Sequence, residues 1–93
     1  MEIIWSRTAN NTYLDIIEQT FERWNIETVE LFETQTNQLI RKIQRYNHIC
    51  PKSKIEDVHK CTINKLTSLV YRIKNKNTIE IVTFLFNKSE HKY

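Results

Sequence analysis

The sequence predicts an α+β fold: a short N-terminal strand, then an antiparallel helical hairpin packed on a small antiparallel β-sheet, in the order β-α-α-β-β-β. A change of rhythm along the chain predicts it. From Ala9 to Tyr46 apolar residues recur at steps of three and four, the spacing of one helix face. From Ile55 the repeat falls to two, the alternation of a strand. Between them lies a loop, Asn47 to Lys54, which holds the only proline, Pro51.

Each element has a local cause. Ile3-Ile4-Trp5 is a short β-type run, and the hydroxyls of Ser6-Arg7-Thr8 are suited to cap a helix. The first helical stripe is Ala9, Tyr13, Ile16, Ile17, Thr20/Phe21 and Trp24, with Asp15, Glu18, Glu22 and Arg23 off it. Asn25 breaks the pattern and can cap a second helix whose first turns hold Glu27 and Glu30. That helix's stripe is Val29, Phe32, Thr36, Leu39, Ile43 and Tyr46, and Arg41, Lys42 and Arg45 close it with the charge its dipole favours. The short joint Trp24-Asn25-Ile26 makes the pair an antiparallel hairpin.

In the second half, Val58 to Ile63 reads as a weak strand, separated from the next by Asn64-Lys65. Leu69, Tyr71 and Ile73 alternate with Arg72 and Lys74. Asn75-Lys76-Asn77 then forms a hairpin turn. Thr78 to Asn87 is the longest strand, with Ile79, Ile81, Thr83 and Leu85 on one face and Glu80, Val82, Phe84 and Phe86 on the other. Apolar residues on both faces predict a central place in the sheet. Tyr71 and Trp24 fit their apolar stripes and are expected in the core. No repeat, linker or low-complexity segment divides the chain, so residues 1–93 are expected to form one domain.

Composition narrows the function classes. The 93 residues are 40% apolar and 27% charged, too apolar for a disordered tail, and no apolar run is long enough for a membrane span. No basic stretch precedes an apolar one at the start, so no signal peptide is expected. The chain has no glycine, which argues against phosphate-cradling loops, dinucleotide fingerprints and the nucleophile elbow. At Asn25, Asn47, Asn64, Asn75 and Asn77, where glycine would be expected, asparagine's tolerance of left-handed backbone is expected to build the joints.

Two cysteines are too few for a disulfide framework, and a reducing cytoplasm is the expected compartment. His48, Cys50, His59 and Cys61 form two H-x-C pairs, formally a zinc set. Their close spacing and the absence of glycine-bearing knuckles favour buried cysteines with partly exposed histidines, so no metal or other cofactor is expected.

Charge is unevenly distributed. Residues 1–47 carry five basic against seven acidic side chains, and residues 48–93 carry nine against four. A basic second half suits an acidic partner, RNA, DNA or an acidic peptide, or is an ordinary lysine-rich surface.

The order of elements, with Ile3-Ile4-Trp5-Ser6 and Ala9 at the front, Trp24 ending the first helix, Phe32, Ile40 and Ile43 on the second, and Pro51 after the hairpin, resembles the RelE/ParE toxin superfamily of bacterial toxin–antitoxin systems. The strands Leu69-Val70-Tyr71-Arg72-Ile73 and Ile79-Glu80-Ile81-Val82-Thr83-Phe84, followed by Asn87-Lys88, complete the resemblance over nearly the whole chain. It implies a toxin neutralised by a cognate antitoxin, with no cofactor and no membrane. It leaves two targets open: DNA gyrase for ParE-type members, and mRNA on the ribosome for RelE-type members, which cut without metal through the messenger's own 2′-hydroxyl.

The ribonucleases tend to carry an arginine two or three residues before the Val-Tyr of the third strand, where this chain has Thr67-Ser68-Leu69. They also tend to carry Arg, His or Tyr beyond the last strand, where it has Asn87 and Lys88. ParE-like inhibition is therefore slightly favoured. If the chain is RelE-like, Lys60, Lys88 and Tyr93 are the catalytic candidates. Lys60, Lys65, Arg72 and Lys88 are the candidate cations for a nucleic acid or protein partner. The many Asn, Lys and Ile residues suit AT-rich coding, which by itself pushes Arg toward Lys.

Overall fold

The computed structural model describes residues 1–55, 57–88 and 92–93. Its elements are β1 (Glu2–Trp5), α1 (Arg7–Arg23), α2 (Ile26–Arg45), β2 (His59–Thr62), β3 (Thr67–Asn75) and β4 (Thr78–Phe86). This is the predicted α+β order. Both helix starts form as the sequence implies: Ser6 Oγ accepts the Ala9 N–H at 2.9 Å, and Asn25 Oδ1 accepts the Thr28 N–H at 2.9 Å.

One four-stranded sheet has the order β1-β4-β3-β2. β4 is central, as its two apolar faces imply. The β2–β3 and β3–β4 pairs are antiparallel, but β1 lies parallel to β4, with Ile3 opposite Ile79 and Trp5 opposite Ile81. The chain reaches β4 from β1 only after the helical crossover and two further strands, so a parallel pair costs no tight turn.

The face assignment of β4 needs one correction. Val70 pairs with Thr83 and Tyr71 with Ile81, so Val82 is an extra residue, a β-bulge. The bulge shifts the alternation: Ile79, Ile81 and then Phe84 enter the core, and Thr83 and Leu85 pair with Val70 and Ser68 of β3. Helix α1 takes over the edge of β4 where β1 ends. Ser6 donates its N–H to the Ile81 carbonyl at 3.0 Å and its hydroxyl to the Val82 carbonyl at 2.7 Å. The Phe84 N–H donates to Thr12 Oγ1 at 3.0 Å. Backbone groups that the bulge would orphan are thus satisfied by the first two turns of α1.

The core joins Ala9 and Ile16 of α1, Phe32 and Ile43 of α2, and Leu69, Tyr71, Ile79, Ile81 and Phe84 of the sheet. Trp5, Tyr13, Phe32 and Phe84 form an aromatic cluster with ring centroids 5.0–5.4 Å apart, which fixes how the hairpin sits on the sheet. Tyr71 is fully buried, as its stripe implies, and donates its hydroxyl to the Asn47 carbonyl at 2.7 Å.

Trp24 is a further correction: it is 50% exposed rather than core. α1 ends at Arg23, and Trp24 leaves helical geometry (φ −127°, ψ −107°), which turns its side chain out of the stripe. Thr20, not Phe21, holds the buried position of the preceding turn, and Tyr46, past the end of α2, is also exposed.

The asparagine joints work by another route than the expected one. Asp57, at φ 64°, is the only left-handed residue among those described. The asparagines instead lend side chains to backbone groups. Asn64 Oδ1 accepts from the Leu66 and Thr67 N–H groups at 2.9 Å, Asn75 Oδ1 accepts from Asn77 N–H at 2.8 Å, and Asn47 donates to the Ile43 carbonyl at 2.9 Å.

Candidate functional site

Alternation along β3 sends Leu69, Tyr71 and Ile73 toward the helices and Ser68, Val70 and Arg72 to the opposite face. Lys60 of β2 pairs with Val70 and shares that face. Arg72 pairs with Glu80 of β4 and bridges to it at 2.7 Å, so its charge is neutralised in the sheet. Lys65 is exposed in the β2–β3 turn and Lys88 is exposed just past β4.

Asn87 brings those last two lysines to one end of the sheet. Its side-chain amide donates to the carbonyls of Asn64 at 3.1 Å and Lys65 at 2.9 Å, and its own N–H donates to Leu66 O at 2.8 Å. The Ser68 hydroxyl donates to Asn87 Oδ1. The four candidate cations are therefore not one cluster. Lys65 and Lys88 share an end, Lys60 lies beside Val70 on the face away from the helices, and Arg72 is held by Glu80.

Tyr93 lies elsewhere. Its carbonyl accepts from Ser53 Oγ at 3.3 Å, on the segment that runs beside β2, and Lys92 Nζ lies 5.4 Å from its ring centre. The catalytic set Lys60, Lys88 and Tyr93 is thus spread over the sheet face, the end of β4 and the outer border of β2.

Next to Lys88 a groove runs between the hairpin tip and the β2–β3 turn, lined by Gln19, Arg23, Trp24, Leu66, Phe86 and Lys88. Trp24 and Leu66 leave large apolar surface exposed there, with Arg23 and Lys88 at the groove. Sequence reading missed Arg23, Leu66 and Phe86. A leucine in an otherwise polar turn, Asn64-Lys65-Leu66, was the available signal.

The cysteines correct another expectation. Cys50 and Cys61 form a disulfide, with Cα atoms 5.4 Å apart, that ties the inter-half loop to β2. Their sulfurs bond to each other and are not paired zinc ligands. Among the described residues no group of three or more His, Cys, Asp or Glu could hold a metal ion. His48 is exposed, but His59 is buried, its ring stacked on Tyr71 at 5.0 Å and 12°. His59 Nδ1 lies 2.7 Å from the Cys50 carbonyl. Burial raises the Tyr71 phenol above the usual tyrosine range, opposed in part by a backbone hydrogen bond at Cys50.

Solved structures share this fold of a strand, a helical hairpin and a three-strand meander closed on the first strand. The chain is similar to a chain of the chromosomal ParDE toxin–antitoxin system from P. aeruginosa, with a TM-score of 0.77 and 19% identity over 92% of this chain and 95% of that one. It is similar to a YoeB/ParE toxin from Agrobacterium tumefaciens, with a TM-score of 0.65 and 19% identity over 94% and 99% of the two chains. A YoeB dimer from Staphylococcus aureus gives 0.63 and 21% over 89% and 92%. No protein-family model and no curated protein matches the sequence. No helix among the described residues is long and apolar enough to cross a membrane.

Proposed function

We propose that residues 1–93 form a single toxin domain of a type II toxin–antitoxin module, held inactive by a cognate antitoxin, and that its target is DNA gyrase or a related topoisomerase. The toxin reading is supported by the shared fold over nine-tenths of the chain. The choice of target is carried by one observation: the Ser68–Asn87 hydrogen bond. Where the ribonuclease branch tends to place an arginine before the Val-Tyr and Arg, His or Tyr beyond the last strand, this chain has Ser68 bonded to Asn87, with Lys88 next to it.

Metal-free cleavage of RNA needs a base for the 2′-hydroxyl, cations for the crowded phosphate and an acid for the leaving oxygen. A serine hydroxyl committed to an amide supplies none of these. Lys60, Lys65 and Lys88 are then read as contacts for an acidic partner, with the apolar groove at Trp24 and Leu66 beside them.

Inducible expression tests both levels. Growth arrest with inhibited supercoiling by purified gyrase is the expected result, relieved by co-expression of a small acidic protein encoded beside the toxin gene. Arrest with cut messages would overturn the gyrase target in favour of an mRNA endonuclease, and Lys60→Ala with Lys88→Ala should then abolish cleavage. Absence of arrest would leave an inactive antitoxin-binding protein.

A further inference from the structure

The end of the sheet away from Lys65 and Lys88 carries a second concavity that the toxin reading does not use. This cleft, of about 470 Å³, receives His48, Lys52, Asp57, His59, Arg72 and Lys74. Three stretches of chain converge to make it: the loop after α2, the start of β2 and the end of β3.

The loop is tied to its neighbours at residues 50–53. The Cys50–Cys61 disulfide spans it, Lys52 and His59 pair as an isolated β-bridge, the Ser53 N–H donates to Val58 O at 2.9 Å and the Lys60 N–H donates to Pro51 O at 3.1 Å. Lys52 is thereby set opposite His59 before any ligand arrives.

His59 is the informative residue. It is only 5% exposed, stacked on Tyr71 and met at 5.6 Å by the ring of His48. A carbonyl can only accept, so the Cys50 oxygen fixes the proton on Nδ1. With the proton on Nδ1, Nε2 of the neutral ring carries the lone pair, so His59 shapes the wall of the cleft and is not one of its donors.

The charge balance has a sign. Arg72 is matched by Glu80, whereas Lys52 and Lys74 make no salt bridge among the described residues. Asp57 is the one acid among the described residues that line the cleft. Two ammonium groups, neither in a salt bridge among the described residues, thus line one cleft with the His48 ring, while the Arg72 guanidinium beside them is drawn to Glu80. A planar carboxylate uses two such donors, while a tetrahedral phosphate, with more oxygens and more charge, uses several at once.

We propose that this cleft binds a phosphate group, presented either by a small phosphate compound or by a nucleic-acid backbone. The test is a titration of the oxidised full-length protein with inorganic phosphate at constant ionic strength, followed by NMR at the histidine ring protons and backbone amides. Saturable shifts confined to His48, His59 and the amides near Lys52 and Lys74 are expected. A Lys52→Ala/Lys74→Ala double variant should bind about tenfold more weakly, as expected for losing two partly screened charge contacts.

Both lysines are exposed, so the variant should keep its fold, which its unshifted amides elsewhere would verify. Adenosine monophosphate and a short single-stranded oligonucleotide then identify the source. Displacement of phosphate by the oligonucleotide assigns the site to a nucleic-acid backbone, and displacement by the mononucleotide alone assigns it to a small phosphate compound. Shifts that fail to saturate by about 50 mM phosphate, or equal affinity in the double variant, would overturn the proposal.

Discussion

Ser6 joins the start of α1 to the bulge of β4: its oxygen accepts the Ala9 N–H at 2.9 Å while its hydroxyl proton goes to the Val82 carbonyl at 2.7 Å. One side chain both caps a helix and satisfies an irregular strand 76 residues away.

Ser6→Ala should therefore cost more than a surface cap. Losing the cap and leaving the Val82 carbonyl short of a donor gives about 2 kcal/mol of destabilisation. Urea unfolding should show a lower midpoint with an unchanged m-value. A loss no greater than about 0.5 kcal/mol would mean that water replaces the Val82 contact.

Thr36 is fully buried, and its hydroxyl is the only buried side-chain polar atom among the described residues that lacks a partner. Thr36→Val keeps the shape and removes the desolvated oxygen, so it should raise stability by about 1 kcal/mol in thermal or urea melts. A destabilised variant would show that the hydroxyl is solvated in solution.

Asn87 closes the end of the sheet through three side-chain hydrogen bonds, to Ser68, Asn64 and Lys65. Asn87→Ala should lower stability by about 2–3 kcal/mol and speed amide exchange at Leu66 and Thr67. Unaltered exchange there would argue that the turn holds without it.

The disulfide closes a loop with a sequence separation of 11. By chain entropy its loss should cost about 2–3 kcal/mol, measurable as a lower melting temperature in reductant or in a Cys50→Ser/Cys61→Ser variant. Equal melting in both redox states would mean that β2 is held by pairing with β3 alone.

Tyr71 makes stability fall in alkali. Its folded phenol titrates above the ordinary value of 10.0, because burial disfavours the phenolate. Above that value the unfolded chain releases a proton that the folded chain keeps. Stability is thus fully present below pH about 10 and declines as pH rises through the interval up to the folded value. Tyr13 acts in the same direction, through burial first and the Glu33 charge second. Denaturant midpoints measured in alkali should fall less steeply for Tyr71→Phe than for the parent, and equal slopes would refute the linkage.

Much of the candidate site was visible in the sequence as residue types but not as an arrangement. The lysines stood out by composition, yet only the pairing of Arg72 with Glu80 and the reach of Asn87 across to Lys65 separate a neutralised cation from two that share an end. The groove at Trp24 was hidden because helical periodicity describes where a stripe points, not where the helix stops being covered. The cleft at His59 was hidden because its parts come from the loop after α2, from β2 and from β3.

By itself the sequence determined the two helices and their caps, the element order and the central place of β4. These depend on spacings of two to four residues and on side chains that reach their own backbone. Tertiary structure alone decided the parallel β1–β4 pair, the bulge at Val82, the Cys50–Cys61 bond and the faces on which the cations lie. Each of these is a meeting of segments distant in sequence. There a one-residue slip in register changes every face beyond it, and no local pattern records the slip.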